Sequence, residues 1–266
     1  MSFASTAEAS TAVNVVRTGP RGGTPVVLLH PAGLDLSYWD RQLDALCDLY
    51  DVVLFDLPGH GRSAGEPEDW TLENVTRVIA AVVAGTGAEK VHLGGLSLGG
   101  MLAQAFAVAH PQSVQSLTLM NTAAVFPEAA RSAMRERALA IREGGMSAIA
   151  ETLAAPWFVP ATLQRRPDLR DRALKTLLHD DPLVQAAMWE MIASFDRVAD
   201  LPRISCPTLV LTGELDEVTP LASAQLLRGS IPHATLAVIP NSAHMSQLEQ
   251  PHLVNRHLLA FLQTTA

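Results

Sequence analysis

Short runs of uninterrupted apolar, largely β-branched residues punctuate the chain, and they limit what it can fold into more than any other feature. Val26–His30 (VVLLH), Val52–Asp56 (VVLFD), Val91–Gly94 (VHLG), Leu117–Asn121 (LTLMN), Thr208–Thr212 (TLVLT) and Ala234–Ile239 (ATLAVI) do not alternate polar with apolar. That pattern marks strands covered on both faces. Helical stretches near Trp39–Leu49, Leu72–Gly85 and Gly100–His110 separate them. Strands alternating with helices predict an α/β architecture, a mostly parallel central sheet flanked by helices. Val13–Arg17 reads as an extra edge strand. With 266 residues, 48% of them hydrophobic, such a chain can bury a large core, hiding about three quarters of its unfolded surface without disulfides. Its two cysteines, Cys47 and Cys206, make neither a disulfide framework nor a CxxC clip, which fits a reduced compartment.

The rhythm breaks between Ala123 and Leu201. This stretch is rich in helix formers (RSAMRERALAIREGG, DLRDRALKTLLHDD, LVQAAMWEMIASF), holds no convincing strand, and is too long for an ordinary loop. It predicts a helical insertion, residues 123–201, over the strand ends of a core built from residues 1–122 and 202–266. Its larger apolar side chains, Trp157, Phe158, Met188, Trp189 and Met191, are expected to divide between packing and pocket lining. Trp157, Phe158, Met188 and Met191 are the candidate substrate contacts.

Charge narrows the partners. A formal net charge of −8 provides no basic footprint for nucleic acid or an anionic membrane. Leu93–Ala109 carries no charge, but it is interrupted by glycines and falls short of the ~18–20 apolar residues of a membrane span. The N-terminal MSFASTAEASTAV lacks Lys, Arg and an apolar centre, so it does not read as a secretory signal and a cytoplasmic location is expected.

The chemistry concentrates at Gly95-Leu96-Ser97-Leu98-Gly99, between the strand VHLG and the helix GMLAQAFAVAH. This is a G-x-S-x-G nucleophile elbow in the strand–turn–helix context that it requires. The turn forces Ser97 into a strained backbone conformation and holds its hydroxyl clear, while small residues on either side let strand and helix approach. The helix start also places free N–H groups and a partial positive charge beside the reacting oxygen.

A serine hydroxyl needs a base, and the base needs an orienting acid. Strand TLVLT ends in Gly213-Glu214-Leu215-Asp216, and strand ATLAVI in Pro240-Asn241-Ser242-Ala243-His244. Both lie just past strand ends, where open α/β sheets bind ligands. Asp216 is preferred to Glu214 because it lies further into the loop, and His244 alone of the nine histidines has the required order and place. The oxyanion donors are expected to be the backbone N–H groups of Leu98 and of Ala32 in the His30-Pro31-Ala32-Gly33 loop, since Pro31 has no N–H. His30 is expected to brace that loop.

Other chemistries find less support. Gly59-His60-Gly61-Arg62-Ser63-Ala64 matches a dinucleotide fingerprint, yet Gly65 and Pro67 leave no helix start to receive a pyrophosphate. No H-E-x-x-H motif or spaced Cys/His set suggests a metal. A cofactor-free enzyme is expected.

Together, the HPAG loop, FDLPGHGRS, GLSLGG, GELDEVTP and PNSAHMSQLEQP resemble the α/β-hydrolase superfamily over almost the whole chain. The resemblance implies a helical cap inserted after the sixth strand, and its G-x-x-D pattern favours Asp216 as the acid. Asn121, at another place where related folds put the acid, is an amide here. Within the superfamily the chain is most similar to the 3-oxoadipate enol-lactonase-like members, through SLTLMNTAA (Ser116–Ala124), APWF (Ala155–Phe158) and LDLSYWDRQ (Leu34–Gln42). That likeness implies hydrolysis of a small ester or lactone. Those relatives tend to carry Ser-Asn-Ser-Leu-Gly at the position of His30–Gly33, and a basic residue before the Trp-Phe pair, where this chain has Pro156. Losing that cation predicts a less acidic substrate, unless Arg131, Arg135 or Arg142 substitutes.

The expected activity is therefore acyl transfer to water: Ser97 attacks, His244 shuttles the proton, and Asp216 holds the imidazole. Perhydrolysis or C–C bond cleavage on the same residues, and a non-catalytic receptor for a small ligand, are the alternative readings.

Overall fold

The structure is a computed structural model and describes residues 12–265. Most of the N-terminal stretch read for a secretory signal thus lies outside the described residues. A seven-stranded sheet organises the molecule in the order β1-β3-β2-β4-β5-β6-β7. Its strands are β1 (Val15–Thr18), β2 (Val26–Leu29), β3 (Val52–Phe55), β4 (Val91–Leu96), β5 (Val114–Met120), β6 (Thr208–Gly213) and β7 (Ala234–Ile239). Only β1 pairs antiparallel, on the outer side of β3; the remaining pairs are parallel.

The apolar runs explain the central strands. Every residue of β2, β3, β4 and β6 is buried, as expected for strands sandwiched between helices. β7 differs. It is the sheet's edge, most of its residues are only partly covered, and Val238 is 40% exposed, so an unbroken apolar run here does not mean burial on both faces.

The helices of the first half are α1 (Asp40–Leu46), α2 (Leu72–Gly85) and α3 (Leu98–Ala109). α2 begins where Thr71 accepts the N–H of Asn74, and it buries the stripe Val75, Ile79, Val83. α3 is buried almost all round, because it packs on β2, β4 and β5 while α2 covers it. After β6 come α9 (Leu221–Ser230), α10 (Ser246–Glu249) and α11 (Pro251–Thr264), the last packing on β6, β7 and α1.

Between β5 and β6 lies the helical insertion: α4 (Glu128–Gly144), α5 (Ala150–Ala154), α6 (Pro160–Arg165), α7 (Asp168–His179) and α8 (Pro182–Ser194). Its neck is closed by an isolated bridge between Val125 and Asp196 and by the Arg197 N–H donating to Ala124 O at 2.9 Å. α4 and α8 pack extensively on each other. The cap expected after a sixth strand follows the fifth strand of the described residues, because β1 is the single strand that precedes β2 there. No helix is long and apolar enough to cross a membrane among the described residues.

Candidate active site

The strand order reverses between β2 and β4, and the loops leaving neighbouring strands converge at the carboxyl edge beside this switch point. Ala32 follows β2, Ser97 follows β4, Asn121 follows β5, Asp216 follows β6 and His244 follows β7.

Ser97 has φ 53° and ψ −115°, outside the regions that non-glycine residues normally adopt. Holding it there costs of order 1–3 kcal/mol, and neighbours on both sides enforce it. Its N–H donates to Met120 O (2.9 Å), and Thr122 Oγ1 donates to its carbonyl (2.6 Å). The flanking glycines are required by proximity. A Cβ on Gly95 would stand 2.2 Å from the Gly99 backbone, and one on Gly99 would stand 2.2 Å from Leu29 O. The sharp passage from β4 into α3 is thus possible only with glycine at both positions.

Asp216 is 5% exposed and saturated with donors. Oδ1 accepts the N–H groups of Val218 (2.9 Å) and Thr219 (3.0 Å). Oδ2 accepts Thr219 Oγ1 (2.7 Å), Asn121 Nδ2 (2.9 Å) and His244 Nδ1 (3.0 Å). Burial alone would raise this carboxyl, but the adjacent His244 and the Asn121 and Thr219 donors outweigh it and bring the pKa down to about 2. Asp216 is therefore an anion at neutral pH, and it fixes the Nδ1–H tautomer of a buried His244. Glu214 is exposed and instead accepts the N–H of Asn241 (3.0 Å). Of the two candidate acids, the fold brings only Asp216 to the histidine.

Ser97 and His244 meet as walls of one cavity of about 350 Å³, which Ala32, Leu98, Met134 and Trp157 also line. With Nδ1 committed to Asp216, the imidazole keeps Nε2 for a partner in this space. Ala32 and Leu98 both line it, and Leu98 opens α3, where the backbone N–H groups of the first turn have no intrahelical acceptor. His30 is fully buried behind the loop; its Nδ1–H donates to Pro31 O (2.8 Å) and its Nε2 accepts Leu57 N–H (2.9 Å). Burial lowers its pKa, so it braces the loop as a neutral ring.

The sequence profile of the alpha/beta hydrolase family matches residues 26–257. This chain belongs to the alpha/beta hydrolase family. It is 30% identical over 252 residues to 3-oxoadipate enol-lactonase 2 of Acinetobacter baylyi, covering 95% of this chain and 93% of that relative. Among solved structures, a malate-bound thermophilic esterase from Thermogutta terrifontis superposes with a TM-score of 0.89 at 31% identity, over 95% of this chain and 93% of its own. The enol-lactonase from Burkholderia xenovorans LB400 does so with a TM-score of 0.89 at 26% identity, over 96% and 98%.

The cap contacts of this hydrolase fall differently from the sequence expectation. Trp157 lines the cavity, but Phe158, Met188 and Met191 are absent from its walls and lie in the packed core at 3%, 0% and 8% exposure. Trp189 and Ile192 of α8 line the cavity in their place, with Ala130, Met134 and Arg137 of α4.

Arg137 is the cation that sequence reasoning missed. Its guanidinium lies 4.2 Å from the ring centroid of Trp189, and burial lowers its pKa. Among the described residues it has no carboxylate partner. The three arginines considered as substitutes are engaged elsewhere: Arg131 with Phe126 O and Asp196, Arg135 with Glu128, and Arg142 with Glu190. Glu249 was missed as well. Its carboxylate accepts the N–H of Val159 in the cap (2.8 Å) and of Ala243 beside the histidine (2.6 Å), tying the two segments together. Among the described residues, no cluster of His, Cys, Asp and Glu is arranged to hold a metal ion.

Proposed function

We propose that this chain is a serine hydrolase of small carboxylic esters or lactones that carry a free carboxylate, with residues 123–201 acting as the cap of a core formed by residues 1–122 and 202–266. The observation that carries the reading is the buried Asp216–His244 pair at 3.0 Å, whose histidine lines the same cavity as a serine held at φ 53°.

His244 Nε2 takes the Ser97 proton as Oγ adds to the carbonyl carbon, and the carbonyl oxygen becomes an oxyanion facing the Ala32 and Leu98 N–H groups. Each such donor is worth ~2.7–4 kcal/mol in the transition state. The imidazolium, stabilised by Asp216, then protonates the leaving alkoxide as the C–O bond breaks. A water, deprotonated by the same ring, adds to the acyl-enzyme, and Ser97 departs with the returned proton. In a lactone the leaving alkoxide stays attached to the acid, so the product is a single hydroxy or keto acid.

Arg137 favours the anionic substrate over the neutral one that Pro156 suggested. Arg137 lines a mostly apolar cavity and has no ion-pair partner among the described residues, Glu217 of the same lining included, so it is available to a ligand carboxylate. The likeness to enol-lactonases from two organisms supports the same class. A cytoplasmic small-molecule enzyme without a cofactor is the corresponding cellular reading. The test is a panel of aliphatic esters and lactones with and without a terminal carboxylate, run with Ser97→Ala beside the parent; turnover that survives in the variant overturns the proposal.

A further inference from the structure

Behind the oxyanion loop, the corner between α7 and α8 seats on two glycines of the core. A Cβ on Gly33, which has φ +67°, would stand 2.4 Å from Leu177 Cδ2 of α7, and one on Gly59 would stand 2.5 Å from Val184 Cγ1 of α8. Through this contact runs a buried hydrogen-bonded chain. Asp180 Oδ2 accepts Gln185 Nε2 (3.1 Å), and Gln185 Nε2 also donates to His60 Nε2 (2.8 Å). The same His60 nitrogen accepts the Gly33 N–H (3.3 Å), while His60 Nδ1–H donates to Pro58 O (3.0 Å). Gly33 is the neighbour of Ala32, whose N–H is the second oxyanion donor in the function proposed above.

We infer that Asp180 and Gln185 are positioning residues: from the cap, they hold the loop that carries Ala32 in register with Ser97. This inference rests on the serine-hydrolase reading. Every link is nine-tenths buried or more, so water does not substitute readily for a lost bond. The arrangement also leaves Gln185 Oε1 buried without a partner, 3.7 Å from the Gly33 Cβ position, the same distance as Asp180 Oδ2.

The groups facing Asp180 are Asp35 and Asp56 from the core loops, Tyr38, His60 and, on its own corner, Asp181. Burial first, and then Asp35 and Asp56, push Asp180 up to about 8. Burial also keeps its neutral neighbours neutral, with Tyr38 at about 12 and His60 at about 3. Asp180 therefore keeps its proton to much higher pH than an ordinary carboxyl. Once ionised, Asp180 still accepts Gln185 Nε2 but its charge faces Asp35 and Asp56, and this repulsion is what would loosen the α7–α8 corner at alkaline pH.

The experiment measures kcat and KM for p-nitrophenyl acetate in the parent, Gln185→Leu, Asp180→Ala, Asp180→Asn and Ser97→Ala between pH 6 and 10. A misaligned oxyanion donor affects the transition state more than ground-state binding, so Gln185→Leu and Asp180→Ala are expected to lose about tenfold or more in kcat with KM little changed. Asp180→Asn keeps an acceptor for Gln185 and cannot ionise. It retains most of kcat at pH 7 and lacks the parent's fall in kcat above pH 8. Unchanged kcat in Gln185→Leu and Asp180→Ala overturns the inference, and so does an identical alkaline limb in Asp180→Asn, which still decides if the other two fail to fold. Activity surviving in Ser97→Ala would instead overturn the underlying serine-hydrolase reading.

Discussion

Replacing Arg137 with Met tests the substrate assignment most directly. The guanidinium lines the cavity, is shielded enough for burial to lower its pKa, and is held in place by the Trp189 ring at 4.2 Å. A hydrogen bond to a charged group contributes about 1.5–3 kcal/mol. At ~1.4 kcal/mol per decade this is about 10–150-fold in kcat/KM. Leaving a bound carboxylate unpaired in a half-dry cavity moves the loss toward the upper end. Methionine keeps the stem and its contact with Trp189, so a neutral substrate should notice little.

The assay pairs p-nitrophenyl hydrogen glutarate with p-nitrophenyl pentanoate, which differ by a carboxylate in place of a terminal methyl. In the parent the glutarate is expected to be the better substrate despite the chain's net charge of −8, which repels anions at long range. Arg137→Met should lower kcat/KM for the glutarate about 10–150-fold and leave the pentanoate within about threefold. Arg137→Lys should fall between, since an ammonium keeps the charge but not the flat stacking face. Equal losses on both esters would show that Arg137 acts by packing alone, and the neutral-substrate expectation drawn from Pro156 would return.

Other substitutions separate the remaining roles. Ser97→Ala is expected to abolish ester turnover while leaving the thermal midpoint within a few degrees, because the hydroxyl faces the cavity; organophosphate labelling at a different serine, read by mass spectrometry, would refute it. Asp216→Asn should cost about 10⁴-fold in kcat, by comparison with amidation of the acid in a serine protease, whereas Glu214→Gln, on an exposed side chain, should cost little; the reverse order would remove Asp216 from its role. Asp51 is buried against Arg17 and Arg21, and the Arg17 hydrogen bond holds its pKa low. A depressed carboxyl stabilises the fold above its unfolded value of ~3.9 and loses that contribution as pH falls through the folded value. Asp51→Asn should therefore destabilise by about 1–3 kcal/mol at pH 7, and urea midpoints of variant and parent should converge below about pH 4; a constant gap would refute the linkage.

The parts legible in the sequence were those fixed by local rules. The elbow needs glycine at 95 and 99 because backbone atoms fill the space where side chains would stand, so motif and geometry are one constraint. The order of Ser97, Asp216 and His244 follows from strand order along the sheet. What was not legible depends on which way a helix faces. α8 is apolar nearly all round, so periodicity alone cannot say which stripe meets the cavity. Trp189 and Ile192, three apart, face the cavity, while Met188 and Met191, also three apart, face the core. On α4 the signal was present: Ala130, Met134 and Arg137 fall on one helical stripe, and an arginine within an otherwise apolar stripe marks a lined cavity or a buried pair. Asn121 was judged only as a missing acid. In the fold its side chain donates to Asp216 and Ala243 O and accepts from Ser246 Oγ, so it braces the Asp216 carboxylate.

The distribution of unused hydrogen-bonding capacity unites these residues. Around Asp216 the polar atoms are matched: the carboxylate has several donors, and Asn121 is satisfied at both ends of its amide. Such a network is rigid because any displacement breaks several bonds at low dielectric. Orphans elsewhere, such as Trp39 Nε1, Trp70 Nε1, Gln42 Oε1 and Gln104 Oε1, are single indole N–H groups or amide oxygens at separate places in the packing. At the cavity, by contrast, such groups converge: the serine hydroxyl, His244 Nε2, the N–H groups of Ala32 and Leu98, the Arg137 guanidinium and, among the lining residues, the exposed Glu217. Buried polar groups normally find partners within the fold, so a set left free around one space is a negative image of the ligand. Read that way, the ligand has a carbonyl whose oxygen accepts two backbone donors, a carbon within reach of Ser97, and an anionic group that reaches Arg137. Under the proposed function the insertion supplies the cation and the core supplies Ser97, Asp216 and His244, so substrate charge could change through α4 and α8 without disturbing those three residues.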